Sequence, residues 1–433
     1  MELIDILMLL IGQVLTVPAV LMGLIALVGL ALERKSVSEI FVGTLKTMFG
    51  IIILNLGCGA IVNATYPLSS VMNAAFKVQG IIPDGTLGLI YGMFTPINWP
   101  MTFSLVLALG FVLMLVIARF TPFKCVHLTG HILVGWAFNF TLIAFAFGLR
   151  DIPLIVVGSI MAALYWTVMP WIVHRWDKDW IPEAGFTLGH DEYLAIIFGC
   201  SVGSHLGDPT KESCEKLKLP GWLSVLQDNT ISSTIVMLIL WISMVLIAGE
   251  SAVKAYTGGQ YWLIWAVIQA ITFTSGIMVV LFGVRIFVGQ IMPAFTGISR
   301  RVVPGAIPAL DCPTVYPFGP QAVLVGYIAY LIGEISATLT QLAIGYPYVS
   351  FPGIWLFFAG STIGVYTDKE GGWKAVLIVG LITGYLAVWA SSLYFPLLPQ
   401  ELRQFGQTAS DTDHSYILTP FLYLAKLLFG YNP

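Results

Sequence analysis

Apolar runs close to the roughly 20 residues that a helix needs to cross a bilayer core recur along the whole chain. They fall at 5–32, 47–65, 98–118, 125–148, 152–173, 230–249, 261–284, 321–343, 351–366 and 373–396, with a shorter terminal run at 415–430. The pattern predicts an all-α integral membrane protein with about 11 transmembrane helices. Three stretches, 67–96, 177–205 and 302–320, are too polar or too broken by Gly and Pro to span, yet too apolar for ordinary loops. They hold Ile82-Pro83-Asp84-Gly85-Thr86, Gly185-Phe186-Thr187-Leu188-Gly189-His190-Asp191, and Pro304 through Gln321. Irregular backbone survives at membrane depth only where protein or a wet cavity satisfies its N–H and C=O groups. The three stretches therefore read as re-entrant hairpins around a polar site, with surface loops as the plain alternative.

Charge supports this division of the chain. With the N-terminus outside and the spans alternating, sixteen of the 20 Lys and Arg residues fall on one side, from Arg34 and Lys35 to Lys426. Only Lys77, Arg150, Lys254 and Arg403 fall on the other. The basic side is the cytoplasmic one, which puts the C-terminus inside. Composition adds exclusions: 58% of residues are apolar and 10% charged, whereas soluble domains carry about 25% charged residues. A soluble enzyme, a disordered chain and a nucleic-acid binder are excluded. Cys58, Cys125, Cys200, Cys214 and Cys312 are odd in number and scattered, so neither a disulfide framework nor a zinc ribbon is indicated. Met1–Asp5 lack a basic signal-peptide start, and the first apolar run is expected to be retained as a helix.

Ile40-Phe41-Val42-Gly43 followed by Phe49 recurs as Ile286-Phe287-Val288-Gly289 followed by Phe295. Read as more than chance, the echo marks a two-fold internal repeat, an arrangement that places transporter sites at the repeat interface. Ionisable residues inside membrane segments cost several kcal/mol unless paired or hydrated, so each is a functional hypothesis. The candidates are His127, His131, His190, Asp191, Glu192, Asp311, Glu334 and Asp84. His127 and His131 are four apart and would share a helix face with metal-ligand spacing. No H-E-x-x-H or cysteine pair supports a metal, so none is expected; His127 reads as interfacial, beside Lys124. Glu334, among Ala329, Gly333 and Ser336, reads as a helix–helix contact. Carboxylates and imidazoles converging from separate hairpins would suit a polyhydroxy ligand. No nucleotide-binding or nucleophile-elbow motif is present, and no cofactor is expected.

The chain resembles the membrane (EIIC) component of the bacterial sugar phosphotransferase system, in its ascorbate-type branch of the ascorbate/galactitol superfamily. The resemblance rests on a collinear set across nearly the whole chain. It includes Leu128-Thr129-Gly130-His131-Ile132, Gly185-Phe186 with Gly189-His190, Lys218-Leu219-Pro220-Gly221-Trp222-Leu223, Asp228-Asn229, and Gly283-Val284-Arg285 with Phe287-Val288. It continues with Gly297-Ile298-Ser299, Arg301, Pro304-Gly305-Ala306, Asp311-Cys312, Tyr316, Phe318, Pro320 and Thr362-Ile363-Gly364-Val365.

The resemblance implies a homodimer in the bacterial inner membrane that works as an elevator. A scaffold (V-motif) part, 1–66 and 221–300, would hold the dimer. A core part, 67–220 and 301–414, would carry the substrate, with 415–433 a terminal helix. It implies a sugar, sugar acid or polyol as substrate, surrounding membrane lipid, and two cytoplasmic partners. EIIB donates a phosphoryl group from its cysteine, and EIIA stands behind it. His131, His190 and Asp311 match pocket-lining positions, Cys58 stands where the family has a small polar residue, and Thr86 lies near another such position. Asp311 and His190 are the expected catalytic groups, orienting the attacking hydroxyl or taking its proton. Two positions depart from the family: Gly135 and Asp191 stand where ascorbate carriers have glutamines. Losing two amides and gaining a carboxylate should change selectivity and repel an anion, which makes a neutral pentose, hexose or polyol the rival to ascorbate. A proton-coupled carrier and, more remotely, an intramembrane enzyme are the other readings.

Overall fold

A computed structural model describes residues 17–83, 99–181, 185–217, 229–353, 356–403, 406–409 and 412–433. Its longer helices are α1 (Pro18–Leu32), α2 (Val37–Phe76), α3 (Trp99–Phe120), α4 (Gly130–Ala146), α5 (Asp151–Asp177) and α6 (Tyr193–Leu206). They continue as α7 (Asn229–Ala248), α8 (Trp262–Arg301), α9 (Pro320–Ala343), α10 (Leu356–Tyr394) and α11 (Thr412–Phe429). Among the described residues, α2, α5, α8, α9 and α10 contain segments long and apolar enough to cross a membrane, and α1, α3, α4, α6 and α7 carry shorter apolar stretches. The protein is a multi-pass, mainly helical membrane protein.

Local sequence sets the helix ends. Ser36 and Glu39 form a reciprocal cap at the start of α2: the Ser36 hydroxyl accepts from the Glu39 N–H, and the Glu39 carboxylate accepts from the Ser36 N–H at 2.9 Å. This satisfies two donors that a helix start leaves orphaned. The spans expected at 351–366 and 373–396 are the two helical halves of α10, which break at Gly372, where φ is +68° and ψ −170°.

The irregular stretches are not plain hairpins. They contribute strands to two small sheets, which an all-α reading did not foresee. One sheet, in the order β5-β1-β6, pairs β1 (Gln79–Pro83) in parallel with β5 (Tyr348–Ser350) and β6 (Gln407–Thr408). The other, in the order β2-β4-β3, pairs β4 (Ile307–Leu310) in parallel with β2 (Cys125–His127) and β3 (Thr187–Leu188). Segments distant in sequence thus satisfy one another's backbone groups where lipid cannot.

The helices pack in two groups. α1, α2, α7 and α8 lie against one another, and α3 to α6 pack with α9 to α11. The first group is locked by close backbone approach between antiparallel α2 and α8. A Cβ at Gly57 would lie 2.6 Å from Val280 N, and one at Gly50 2.7 Å from Phe287 N. From the other side, a Cβ at Gly276 would lie 2.8 Å from Gly57 O, and one at Gly283 2.5 Å from Leu54 N. Small residues at such crossings let membrane helices touch through their backbones. The four-residue echo falls in this same pair, in the first turns of α2 and the last third of α8, with a Cβ at Gly43 3.4 Å from Gln290 Oε1. The two copies therefore lie in helices that meet. Between the groups runs an apolar cleft of about 320 Å³, flanked by Leu240 and Met244 of α7 and by Leu331, Ile335 and Leu339 of α9.

Candidate functional site

The sheet β2-β4-β3 explains why residues far apart in sequence meet. Its three strands run parallel, so their carboxyl ends lie side by side, and each hands the chain to an ionisable residue. His131 follows β2, His190 follows β3, and Asp311 follows β4 directly. Gly189 makes the approach possible: its N–H donates to Leu310 O at 2.5 Å, and a Cβ there would strike the Ala309 and Leu310 backbone.

The three groups form one cluster, with His190 and Asp311 buried and His131 half-buried. His190 Nε2 lies 3.7 Å from Asp311 Oδ1, and the His131 and His190 rings stand edge to face with centroids 5.8 Å apart. Ligand atoms of His131, His190 and Asp311 all come within 4.8 Å of one another, a spacing that a hydroxyl bridges with hydrogen bonds of about 2.8 Å. His190 and Asp311 are only 5% and 7% exposed, so both groups are held away from bulk water. His131 Nδ1 is buried with no hydrogen-bond partner among the described residues. Asp311 is fixed by its own turn, its carboxylate accepting from the Cys312 N–H at 2.8 Å.

Behind His190 stand two carboxylates. Nδ1–H donates to Glu192 Oε1 at 2.8 Å, and Asp191 Oδ1 sits equally close. A carboxylate on Nδ1 fixes the tautomer and leaves Nε2 as the group that faces the cluster. Asp191, a residue expected to touch substrate, is fully buried, with its other oxygen 2.6 Å from His414 Nε2. Both its oxygens thus face imidazoles. Gly135, the other departure from the ascorbate pattern, faces the same ring, since a Cβ there would lie 3.6 Å from His414 Cε1. Gly135 leaves room for this ring, which arrives from another helix.

His414 and its neighbours were not foreseen from sequence. Asn139 Nδ2 makes a short contact to His414 Nδ1, and the Trp136 indole stacks on the ring at 4.4 Å. Asp413 accepts from the Tyr165 hydroxyl at 2.7 Å and from the Leu194 N–H at 2.8 Å. The signal was present as Thr412-Asp413-His414-Ser415, a polar cluster opening the last apolar run; nothing local said which loop it would meet.

Other expected residues lie elsewhere. His127 is neither interfacial nor on a helix with His131. It sits in β2, fully buried, because β2 pairs with β4 and the helix begins only at Gly130. Glu334 is buried where α9 faces α10 and α11, and its carboxylate accepts from the Gly353 N–H at 3.2 Å in the loop after β5. Cys58 lies in α2, and its side chain is outside what is described, as are Asp84 and Thr86 altogether. A further buried carboxylate, Asp177, ties three elements together. It receives the Thr187 hydroxyl at 2.6 Å, the Tyr366 hydroxyl at 2.8 Å and His174 Nδ1 at 2.7 Å.

Two comparisons bear on this geometry. The EIIC-GAT family model, described as PTS system sugar-specific permease component, matches residues 13–414. The chain is also similar to the ascorbate-specific PTS system EIIC component of Mycoplasma pneumoniae, with 28% identity over 422 residues. That alignment covers 86% of this chain and 64% of the relative, so the chain spans less than two thirds of the relative's length.

Proposed function

This chain belongs to the EIIC-GAT family of PTS sugar-specific permease components, and from that premise we propose that it carries a sugar, sugar acid or polyol across the bacterial inner membrane and presents it for phosphorylation by a partner EIIB protein. The observation that carries this reading is the meeting of His131, His190 and Asp311 at the ends of three parallel strands. Two imidazoles and a carboxylate within reach of one another can each take or give a hydrogen bond to the hydroxyls of a polyol. The arrangement also suits acid–base work. Glu192 on Nδ1 leaves His190 Nε2 turned toward an attacking hydroxyl, with Asp311, 3.7 Å away, to orient that hydroxyl or take its proton. A phosphoryl group arriving in line needs little more from this chain than such positioning.

The pocket is not the bare acidic site that Asp191 suggested. With His190 on one oxygen and His414 on the other, Asp191 is engaged by protein groups and does not stand alone against an anionic ligand. A sugar acid such as the ascorbate named for the Mycoplasma relative therefore stays within the substrate class.

The two helix groups are read as scaffold and core of an elevator-type homodimer, with the scaffold in 1–66 and 221–300 and the core in 67–220 and 301–414. In support, α2 and α8 interlock through their backbones, whereas only an apolar cleft lies between α7 and α9; apolar faces can slide without breaking hydrogen bonds.

Thermal stabilisation of the purified protein by ascorbate, pentoses, hexoses and polyols tests the substrate class, because a ligand that binds only the folded state raises Tm. Tm should rise with at least one of them. Phosphorylation by the partner EIIB should fall in Asp311→Asn and His190→Ala; full phosphorylation with unchanged affinity in both would contradict the proposal.

A further inference from the structure

We infer that Thr412–His414, at the start of α11, is a clamp that positions His190, with His414 acting through Asp191. The inference rests on the reading of His190 as a substrate-facing group. Four contacts lace this segment to the turn that carries His190. The Asp413 N–H donates to Asp191 O at 3.1 Å, and the Thr412 hydroxyl donates to the same carbonyl at 3.3 Å. Asp413 Oδ1 takes the Leu194 N–H at 2.8 Å. His414 Nε2 meets Asp191 Oδ2 at 2.6 Å.

His414 is itself held on every side. Asn139 donates to its Nδ1, which leaves Nε2–H as the group turned on Asp191. Trp136 stacks on its ring with only 12° between the planes, and Gly135 leaves room for the edge. A chain of polar side chains thus runs from Asn139 on α4, through His414 on α11 and Asp191, to His190 Nδ1. Its far end is the Nε2 that faces Asp311. Groups oriented this way fix both the ring plane and the tautomer of an imidazole they do not themselves expose to ligand. His414 touches none of His131, His190 Nε2 or Asp311 in this chain of contacts, so it is a positioning residue and not a catalytic one.

The test compares His414→Leu, which removes the Nε2 donor, with His414→Gln, whose side-chain amide can present an N–H toward the same oxygen. Affinity for whichever panel sugar binds the wild type is measured on folded, monodisperse protein. His414→Leu should weaken binding at least tenfold, His414→Gln should stay within threefold of wild type, and His414→Leu added to Asp191→Asn should cost nothing further. A merely structural role would lower the yield or Tm of His414→Leu and leave the affinity of the folded fraction unchanged; that result, or equal loss in the Gln variant, overturns the proposal. A ligand-free arm separates this from failure of the sugar reading. In protein labelled with ¹⁵N-histidine, the ring-nitrogen shifts of His190, assigned by its own substitution among the six histidines, should change in His414→Leu and not in His414→Gln. Unchanged shifts in His414→Leu overturn the clamp, whereas wild-type protein that binds no sugar while the shifts behave as expected overturns the permease reading alone.

Discussion

His190 Nδ1 stands 2.8 Å from Glu192 Oε1, two residues along the same turn and both shut away from solvent. The pair divides the imidazole into a held face and a working face, as carboxylates do for histidines in acid–base and metal sites. A hydrogen bond to a charged group is worth about 1.5–3 kcal/mol. Glu192→Ala should therefore weaken substrate binding by about 10- to 100-fold, and Glu192→Gln, which keeps an acceptor oxygen, by less. Isothermal calorimetry on both variants checks this; equal losses would mean that the carboxylate acts through its charge and not through its acceptor oxygen.

The crossing of α2 and α8 makes a sharp prediction about two glycines one turn face apart. Any Cβ at Gly57 runs into the Val280 backbone at 2.6 Å, whereas nothing lies within 4 Å of one at Gly59. Overpacking typically costs about 1–3 kcal/mol. Gly57→Ala should lower the melting temperature in detergent, and Gly59→Ala should leave it unchanged or slightly raised, because alanine restricts the unfolded chain.

Asp177 should be more important to stability than its sequence context suggests. It accepts hydrogen bonds from the end of α5, from β3 and from α10, through His174, Thr187 and Tyr366. Tyr366→Phe removes one bond to a charged group and should cost about 1.5–3 kcal/mol. Asp177→Ala leaves two buried hydroxyls unpartnered at once and should cost more, at about 1–3 kcal/mol for each orphaned group. Because β3 leads straight into Gly189 and His190, it should also reduce ligand affinity, measured beside the melting curves.

The sequence announced the helices well because bilayer thickness imposes a length that only an apolar run can meet. It also put His131, His190 and Asp311 among eight candidates, since an ionisable group at membrane depth demands a reason; the family resemblance is what singled out these three. What it could not announce was pairing. Three-residue strands such as Cys125–His127 carry no periodicity of their own, and only their partners 182 positions away in sequence, from Cys125 to Ile307, make them strands. His127 was misplaced for that reason. His414 was missed for a related one: its partners Asp191 and Asn139 come from other parts of the chain, and a polar cluster ahead of a terminal helix looks like an ordinary helix start. The reading of Asp191 as a ligand contact followed from the family position it occupies, while in the fold its oxygens face His190 and His414.

The most direct test of the central claim is the binding of the stabilising panel sugar to wild type, His190→Gln and Asp311→Asn, each first shown to be folded and monodisperse. The account predicts a loss of at least tenfold in both variants, with melting temperatures of the ligand-free proteins close to wild type, because the cluster is built to bind and Asp311 is already capped by its own turn. Undiminished affinity in both would place the substrate elsewhere in the protein and contradict the account.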